Sequence, residues 1–148
     1  MSDVNSQYIT FIIADQLFGV PALQVQDVLG EQEITQVPLA PPQIAGSLNL
    51  RGRIVTAIDL RKRLDLPTRP EEFPQMSIVV EHEHELYSLI VDKVGDVLTM
   101  DAEDYERNPP TLDKRWREVS TGIFRQEKDL LVVLDIAQLL NFVETKAA

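Results

Sequence analysis

The side chains that could hold a metal or attack a substrate are few in this sequence. It has no cysteine, which excludes thiolate nucleophiles, disulfides and thiolate metal sites, and its two histidines stand together in 81–85 (EHEHE). In a strand, His82 and His84 would share a face, and two imidazoles can begin a zinc site. Two ligands do not complete a tetrahedral site, so we predict an exposed hairpin tip. A small metal- or ligand-binding double β-barrel built on this pair is the alternative.

No group of residues has the pattern of a catalytic centre. Because both histidines lie in one acidic stretch, no serine or threonine is combined with a separate histidine and acid as a triad requires. The sequence also lacks G-x-G-x-x-G and the phosphate-binding loop motif. We therefore expect no catalytic residue, no cofactor and no bound metal, and a protein that is not an enzyme but acts by binding.

Arg51 is the side chain best suited to such binding. Between Leu50 and Gly52, it is placed to present a planar fork of donors to carbonyls or carboxylates of a partner, and the alternative is an internal salt bridge. Asn49 and Gly52 are expected to shape a turn around it. Arg51 also begins a basic stretch that is either a solvated surface or a contact for an acidic protein. Six of the fourteen basic residues lie within nineteen positions: Arg51, Arg53, Arg61, Lys62, Arg63 and Arg69.

Composition and charge narrow the class of protein. The chain has 148 residues, of which 44% are hydrophobic and 26% charged, as in ordinary globular proteins. The net charge of −10 argues against nucleic-acid binding, which needs basic surface. No apolar run approaches the roughly 20 residues that span a bilayer, and the polar start has no signal-peptide pattern. We therefore expect a cytoplasmic protein without membrane insertion.

The sequence contains an internal repeat. Residues 17–29 (LFGVPALQVQDVL) align with 86–98 (LYSLIVDKVGDVL) at five identical positions, and 46–64 align with 122–140. The second alignment matches Gly46 with Gly122, which predicts a backbone role such as a positive φ, and Asp59 with Asp135, which predicts helix caps. We infer two related units, near 8–66 and 76–141.

Short apolar segments predict that these units are built from β-strands. Residues 8–14 and 76–80 are rich in β-branched and aromatic types, and 54–60 and 130–136 are nearly continuous apolar runs, typical of strands buried on both faces. Units of this size bury little core alone. We therefore predict an all-β fold of two small barrels packed on a shared hydrophobic core, with short helical turns, and partner binding in the cleft between the barrels.

A known family matches these segments. Residues 46–61 (GSLNLRGRIVTAIDLR) resemble the G-x-x-N-L-R-G-x-x-x-P-x-x-D-L-R segment of the CheW family, the coupling proteins of bacterial chemotaxis. Further segments follow in the family's order, so the resemblance covers about residues 8–142. Thr56 stands where the family usually has proline, and Ser88 where glycine is frequent. We expect Thr56 to lie at a sheet edge and Ser88 to lie near the groove between the barrels.

The resemblance implies both a structure and a role. The structure is a single CheW-like domain over 1–148, made of two SH3-like five-stranded β-barrels. We also expect the C-terminal segment to pack back on the first barrel. The role is that of a non-enzymatic adaptor in bacterial chemotaxis, which couples the cytoplasmic hairpin tips of chemoreceptors to the regulatory domain of the histidine kinase CheA. Such a protein is cytoplasmic and is recruited to membrane-associated receptor arrays.

The resemblance also implies contact residues for each partner. Receptor contact, in the groove between the barrels, is carried over to Val25, Arg51, Val94 and Val97. Kinase contact is carried over to Asp27 and to the loop around Gly46. The closest alternative within the family, the coupling domain of a kinase or of a receiver-fused adaptor, is disfavoured by the short tails. Residues 105–118, with Trp116, match no motif that gives them a role.

Overall fold

The computed structural model describes residues 5–30, 33–66, 75–112, 114–125 and 130–140. Eleven strands and three one-turn α-helices are formed within this described part. The strands are β1 (Asn5–Ile13), β2 (Gln16–Pro21), β3 (Val25–Leu29), β4 (Ile44–Leu50), β5 (Arg53–Asp59), β6 (Met76–His82), β7 (Glu85–Val91), β8 (Lys93–Asp101), β9 (Tyr105–Glu106), β10 (Ser120–Arg125) and β11 (Leu130–Leu134). The helices are α1 (Leu60–Arg63), α2 (Lys114–Arg117) and α3 (Ile136–Leu139), and 3-10 turns occur at Ala22–Gln24 and Ala102–Asp104.

The strands form two sheets of similar design. One has six strands in the order β8-β1-β2-β11-β10-β9, and the other has five in the order β3-β6-β7-β5-β4. We call them the first and second barrel. One neighbouring pair in each sheet is parallel, β11 with β2 and β5 with β7, and the other pairs are antiparallel. The mainly β fold predicted from the sequence is confirmed.

Each barrel is built from strands of both sequence copies, an arrangement that we call the strand exchange. The first barrel takes β1 and β2 from the N-terminal copy and β8 to β11 from the C-terminal copy. The second barrel takes β3 to β5 from the N-terminal copy and β6 and β7 from the C-terminal copy. The registers agree with the repeat, since Val132 pairs with Phe18 while Thr56 pairs with Tyr87. The C-terminal strand β11 therefore lies on the N-terminal hairpin.

The exchange changes the boundaries that the repeat predicts. Residues 8–66 and 76–141 are two copies in sequence, but neither range is one barrel, because each range contributes strands to both sheets. The physical reason is that the copies are alike. A strand finds an equivalent hydrogen-bonding partner in either copy, so the spacing of residues does not distinguish pairing within a copy from pairing between copies. The proline-rich segment 67–74 that joins the copies lies outside the described residues.

Alternating side chains on the strands build three apolar clusters. In β7, Tyr87, Leu89 and Val91 join the largest cluster, which lies between the sheets and includes residues of both barrels. Leu86 and Ile90, which point to the opposite face of the same strand, join a smaller cluster inside the second barrel. Phe124, Leu131 and Val133 form the matching cluster of the first barrel. The shared hydrophobic core predicted from the sequence is thus present.

The caps of helices α1 and α3 follow the prediction from the repeat. The Asp59 carboxylate accepts hydrogen bonds from the backbone N–H groups of Arg61 and Lys62 at 3.0 and 3.3 Å. The Asp135 carboxylate accepts from Ala137 and Gln138 at the same two distances. An N-cap carboxylate satisfies donors that a helix start leaves without partners, so the capping role of both aspartates is confirmed. None of the helices in the described part of the chain has the length and apolarity needed to cross a membrane.

Candidate functional site

Three of the four residues predicted to contact a receptor lie on strands at the edges of the sheets. Val25 begins β3, the edge strand of the second barrel, and pairs with Val80. Val94 and Val97 lie on β8, the edge strand of the first barrel. Val25 and Val94 are partly buried against the shared core, and Val97 is 53% exposed. Val25 and Val94 therefore border the shared core, whereas Val97 is a surface residue.

The two edges lie at the junction of the barrels. Strand β8 contacts β6 of the second barrel, and the 3-10 turn that precedes β3 contacts β1 of the first barrel. The Val94 N–H donates to the Met76 sulfur at 3.5 Å across this junction. Sequence reasoning did not select Leu23 and Val28, which are exposed beside or on β3, to 98% and 39%. Their exposure follows from strand pairing, which residue types alone do not reveal.

Arg51, the fourth predicted receptor residue, lies in the tight turn between β4 and β5. Arg51 and Gly52 have φ values of 52° and 84°, and the Asn49 side chain accepts a hydrogen bond from the Gly52 N–H at 2.9 Å. The turn holds the arginine side chain in solvent, where it is 78% exposed. The structural role predicted for Asn49 and Gly52 is confirmed.

The Arg51 guanidinium also pairs with Asp27, a residue predicted to contact the kinase. Its Nη2 lies 3.0 Å from Asp27 Oδ2, an atom shielded from water that has no aligned hydrogen-bond donor among the described residues. An ion pair with one exposed partner is worth at most about 1 kcal/mol. Arg51 therefore combines the two roles considered from the sequence: it makes an internal salt bridge and remains open to a partner. The pair borders a cavity of about 120 Å³ that Arg53, Leu50 and Leu86 help to line.

Gly46, the second predicted kinase residue, lies in strand β4 and not in a loop. It is buried at a bulge with φ 150°, and a Cβ there would collide with the backbone of Thr35, whose N–H and C=O both pair with Ser47. Gly122 occupies the matching bulge in β10, where a Cβ would collide with Tyr105. The predicted positive φ is found at Gly46, whereas at Gly122 it is the close approach of Tyr105 and of the Glu106 carbonyl that requires glycine. As a partner contact, Gly46 can act only through the strand that it shapes.

The basic stretch 51–69 does not form one surface. Arg61 is buried, and its Nε and Nη2 donate to the two carboxylate oxygens of Asp92 at 3.0 and 2.5 Å, a hydrogen bond that raises the pKa of Arg61. Arg63 in the same helix donates to the carbonyls of Gln138 and Leu139, and its burial lowers its pKa. Arg69 lies outside the described residues. Of this stretch, Arg51, Arg53 and Lys62 are the described cations that face solvent.

The two histidines do not form the beginning of a metal site. His82 ends β6, whereas Glu83 and His84, with φ values of 52° and 69°, form the turn to β7. The histidines therefore do not share one strand face, as the metal-binding alternative requires. Within the described ranges, no three histidine or carboxylate side chains are grouped as a metal ion would need. The alternative function is not supported.

Ser88 and Thr56 lie elsewhere than the sequence suggested. Ser88 is 1% exposed and lies between Leu86 and Ile90 on the inner face of the second barrel, so it is not near a groove. The prediction was wrong because the face that a strand residue occupies depends on the register, which was unknown. Thr56 lies in β5, which is flanked by β7 and β4 and is therefore not an edge strand.

The segment 105–118, without a role from the sequence, has a structural one. Tyr105–Glu106 forms β9 and extends the first barrel. The Trp116 ring meets Phe18 edge to face at 5.4 Å between centroids, and its indole N–H donates to the Leu64 carbonyl at 3.2 Å. Trp116 thus packs on the shared core and provides a donor for the end of α1.

Comparisons with known proteins agree with this architecture. A family described as the CheW-like domain matches residues 7–144. Chemotaxis protein CheW of Treponema pallidum is 27% identical over 97% of this chain and 87% of its own length, and chemotaxis protein CheW of Bacillus subtilis is 30% identical over 97% and 92%. The crystal structure of scaffolding protein TtCheW from Thermoanaerobacter tengcongensis superposes with a TM-score of 0.82 at 30% identity, over 91% of this chain and 92% of that one. The chain therefore belongs to the CheW-like domain family of non-enzymatic scaffold and adaptor proteins in chemotaxis.

Proposed function

We propose that this chain couples the cytoplasmic hairpin tips of chemoreceptors to the regulatory domain of a histidine kinase of the CheA type. It would do so in the cytoplasm, at membrane-associated receptor arrays. The observation that carries the proposal is the junction between the barrels, where two edge strands expose apolar side chains and one of them, β3, holds the solvent-facing Arg51 through Asp27. A surface of this kind suits another polypeptide and offers no reactive group.

The receptor contact is assigned to Val25, Val94, Val97 and Arg51. An amphipathic helix binds by laying its apolar face on an apolar strip, and the partly buried and exposed valines of β3 and β8 offer such side chains. Arg51 would then donate to carbonyls or carboxylates of the helix. Leu23 and Val28, exposed near Val25, extend the same apolar surface.

The kinase contact is assigned to Asp27 and to the part of β4 that Gly46 shapes. Asp27 is partly exposed and is tied to Arg51, so the two proposed contact surfaces meet at this ion pair. A partner bound to one side of the pair changes the environment of the other. We expect the chain to pass the receptor signal by shifting the populations of kinase conformations, without a reaction of its own.

Arg51→Ala, compared with Arg53→Ala, tests the receptor assignment. Both arginines are exposed in or beside the same turn, but Arg51 pairs with Asp27 and is the proposed contact. Truncation of a hot-spot side chain costs about 2 kcal/mol, so we expect Arg51→Ala to weaken binding to the receptor tip roughly 30-fold. Arg53→Ala is expected to bind within about twofold of wild type, as a peripheral contact does.

The measurement is co-sedimentation with receptor-bearing membranes, with and without the kinase, after circular dichroism has established that each variant is folded. An unchanged receptor affinity of folded Arg51→Ala removes this residue from the site. Failure of the wild-type chain to sediment with receptors under any of these conditions refutes the proposed function itself.

A further inference from the structure

The ion pair formed by the buried Arg61 and the largely buried Asp92 connects the two barrels. Asp92 lies between β7 and β8, where the chain passes from the second barrel to the first. It receives both guanidinium donors of Arg61, from α1 of the second barrel. It also accepts from the Ala14 N–H at 2.9 Å, and its own N–H donates to the Ile12 carbonyl at 3.1 Å, both in the first hairpin. We call this arrangement the clamp.

The repeat shows that the clamp is not a requirement of the fold unit. In the two sequence alignments Asp92 corresponds to Leu23 and Arg61 corresponds to Ala137. Leu23 is 98% exposed and Ala137 is exposed, so no such pair exists at the matching position. The strand, the helix and the aspartate cap nevertheless form in both copies. A charged pair that one copy omits serves something other than the shared architecture.

The clamp lies at the beginning of the strand that carries two proposed receptor contacts. Val94 follows Asp92 by two residues, and β8 is an edge strand that has β1 as its neighbour in the sheet. An edge strand has ladder hydrogen bonds on one side only, so its position depends on what fixes its ends. The bidentate geometry of the clamp fixes both the position and the orientation of Asp92, and thereby where β8 begins.

We infer that Arg61 and Asp92 are positioning residues, which hold β8 in place for its contact with the receptor tip. The contact with the receptor tip rests on the proposed function, whereas the effect of the pair on the position of β8 does not. The pair touches no partner itself. Removal of Arg61 leaves the largely buried Asp92 carboxylate without this cation, so we expect the segment around Asp92 to shift towards water and the strand that follows to loosen.

The test compares Arg61→Met with Arg63→Met and with the double variant Arg61→Met/Asp92→Asn. Arg63 lies in the same helix and also donates to the protein, but to the carbonyls of α3, away from β8. The double variant removes both charges while keeping an acceptor for the Ala14 N–H, so it stays folded if the single variant does not. Amide hydrogen exchange of Val94 and Val97 is measured against that of Val25 and Val28 on β3.

For the clamp variants we expect amide exchange on β8 to be faster by about tenfold or more, with exchange on β3 unchanged. We also expect receptor affinity to fall about tenfold while kinase affinity stays within about twofold, the size of effect that residues outside a contact produce. Arg63→Met is expected to change neither quantity. Wild-type exchange on β8 in either folded clamp variant overturns the inference, as does equal loosening by Arg63→Met.

The two measurements separate this inference from the proposed function. The exchange measurement uses the chain without partners and decides whether the clamp holds β8. If the wild-type chain binds no receptor tip, the proposed function fails whatever the exchange result. If the wild type binds and the folded clamp variants bind equally well, only the positioning role fails.

Discussion

The Gly46→Ala substitution measures how closely two segments of the second barrel approach each other. A Cβ on Gly46 would collide with the Thr35 carbonyl oxygen and lie 2.7 Å from the Ile34 side chain. Thr35 cannot simply move away, because its N–H and C=O each form a 2.8 Å hydrogen bond with Ser47. The backbone φ of 150° is in addition one that side-chain-bearing residues avoid.

The expected cost has two parts. Holding alanine in such a backbone conformation costs roughly 1–3 kcal/mol. Forcing an extra carbon into packed surroundings typically costs about 1–3 kcal/mol more. We therefore expect the free energy of unfolding to fall by about 2–6 kcal/mol, a large part of the roughly 5–15 kcal/mol that stabilises a typical domain. The midpoint of urea unfolding should fall by on the order of 1–2 M.

Substitutions of two other glycines, measured in the same assay, distinguish the cost of backbone strain from the cost of the close approach. Gly52 has φ 84° but no atom within 4 Å of an added Cβ, so Gly52→Ala should cost about 1–2 kcal/mol from backbone strain alone. Gly30 has open space and no positive φ, so Gly30→Ala should stay within about 0.5 kcal/mol of wild type. If Gly46→Ala unfolds at a urea concentration no lower than Gly52→Ala, the close approach does not have the cost assigned to it.

Three further substitutions test the interior and the helix ends. Ser88→Ala should raise the free energy of unfolding by about 1 kcal/mol, because the buried Ser88 hydroxyl has no hydrogen-bond partner among the described residues; a lower urea midpoint would show that it has one. Asp135→Ala should cost about 1 kcal/mol by removing the α3 cap, and Asp135→Asn should recover most of this in the same titration. Trp116→Phe keeps a ring on Phe18 but loses the donor to the Leu64 carbonyl, so thermal unfolding followed by circular dichroism should show a loss of about 1 kcal/mol; an unchanged melting temperature would contradict it.

Local signals in the sequence predicted the parts of the fold that depend on one residue and its neighbours. Asp59 and Asp135 precede short helical patterns, and capping is a local interaction, so both roles could be read directly. Gly46 and Gly122 match across the repeat, which pointed to the backbone before any contact was known. The strand exchange could not be read in this way, because it is a choice between equivalent long-range pairings.

The same distinction applies to the candidate site. Arg51 was identified from its turn context, and its salt bridge was among the expected roles, although Asp27 as the partner required the structure. Ser88 was misplaced because its face depends on register. Leu23 was overlooked because its exposure depends on where the 3-10 turn before β3 lies in the assembled fold. Exposure and partner identity are properties of the assembled sheets and have no local signature.

The strand exchange has a consequence for a polypeptide half as long. A chain with one copy of this pattern would contain two strands of one barrel and three of the other, so it would complete its sheets only by intertwining with an identical molecule. Such a homodimer would be symmetric and would present every surface twice. When the two halves form one polypeptide, the equivalent positions can carry different residues. Asp92 in one copy and Leu23 at the corresponding position of the other are an example.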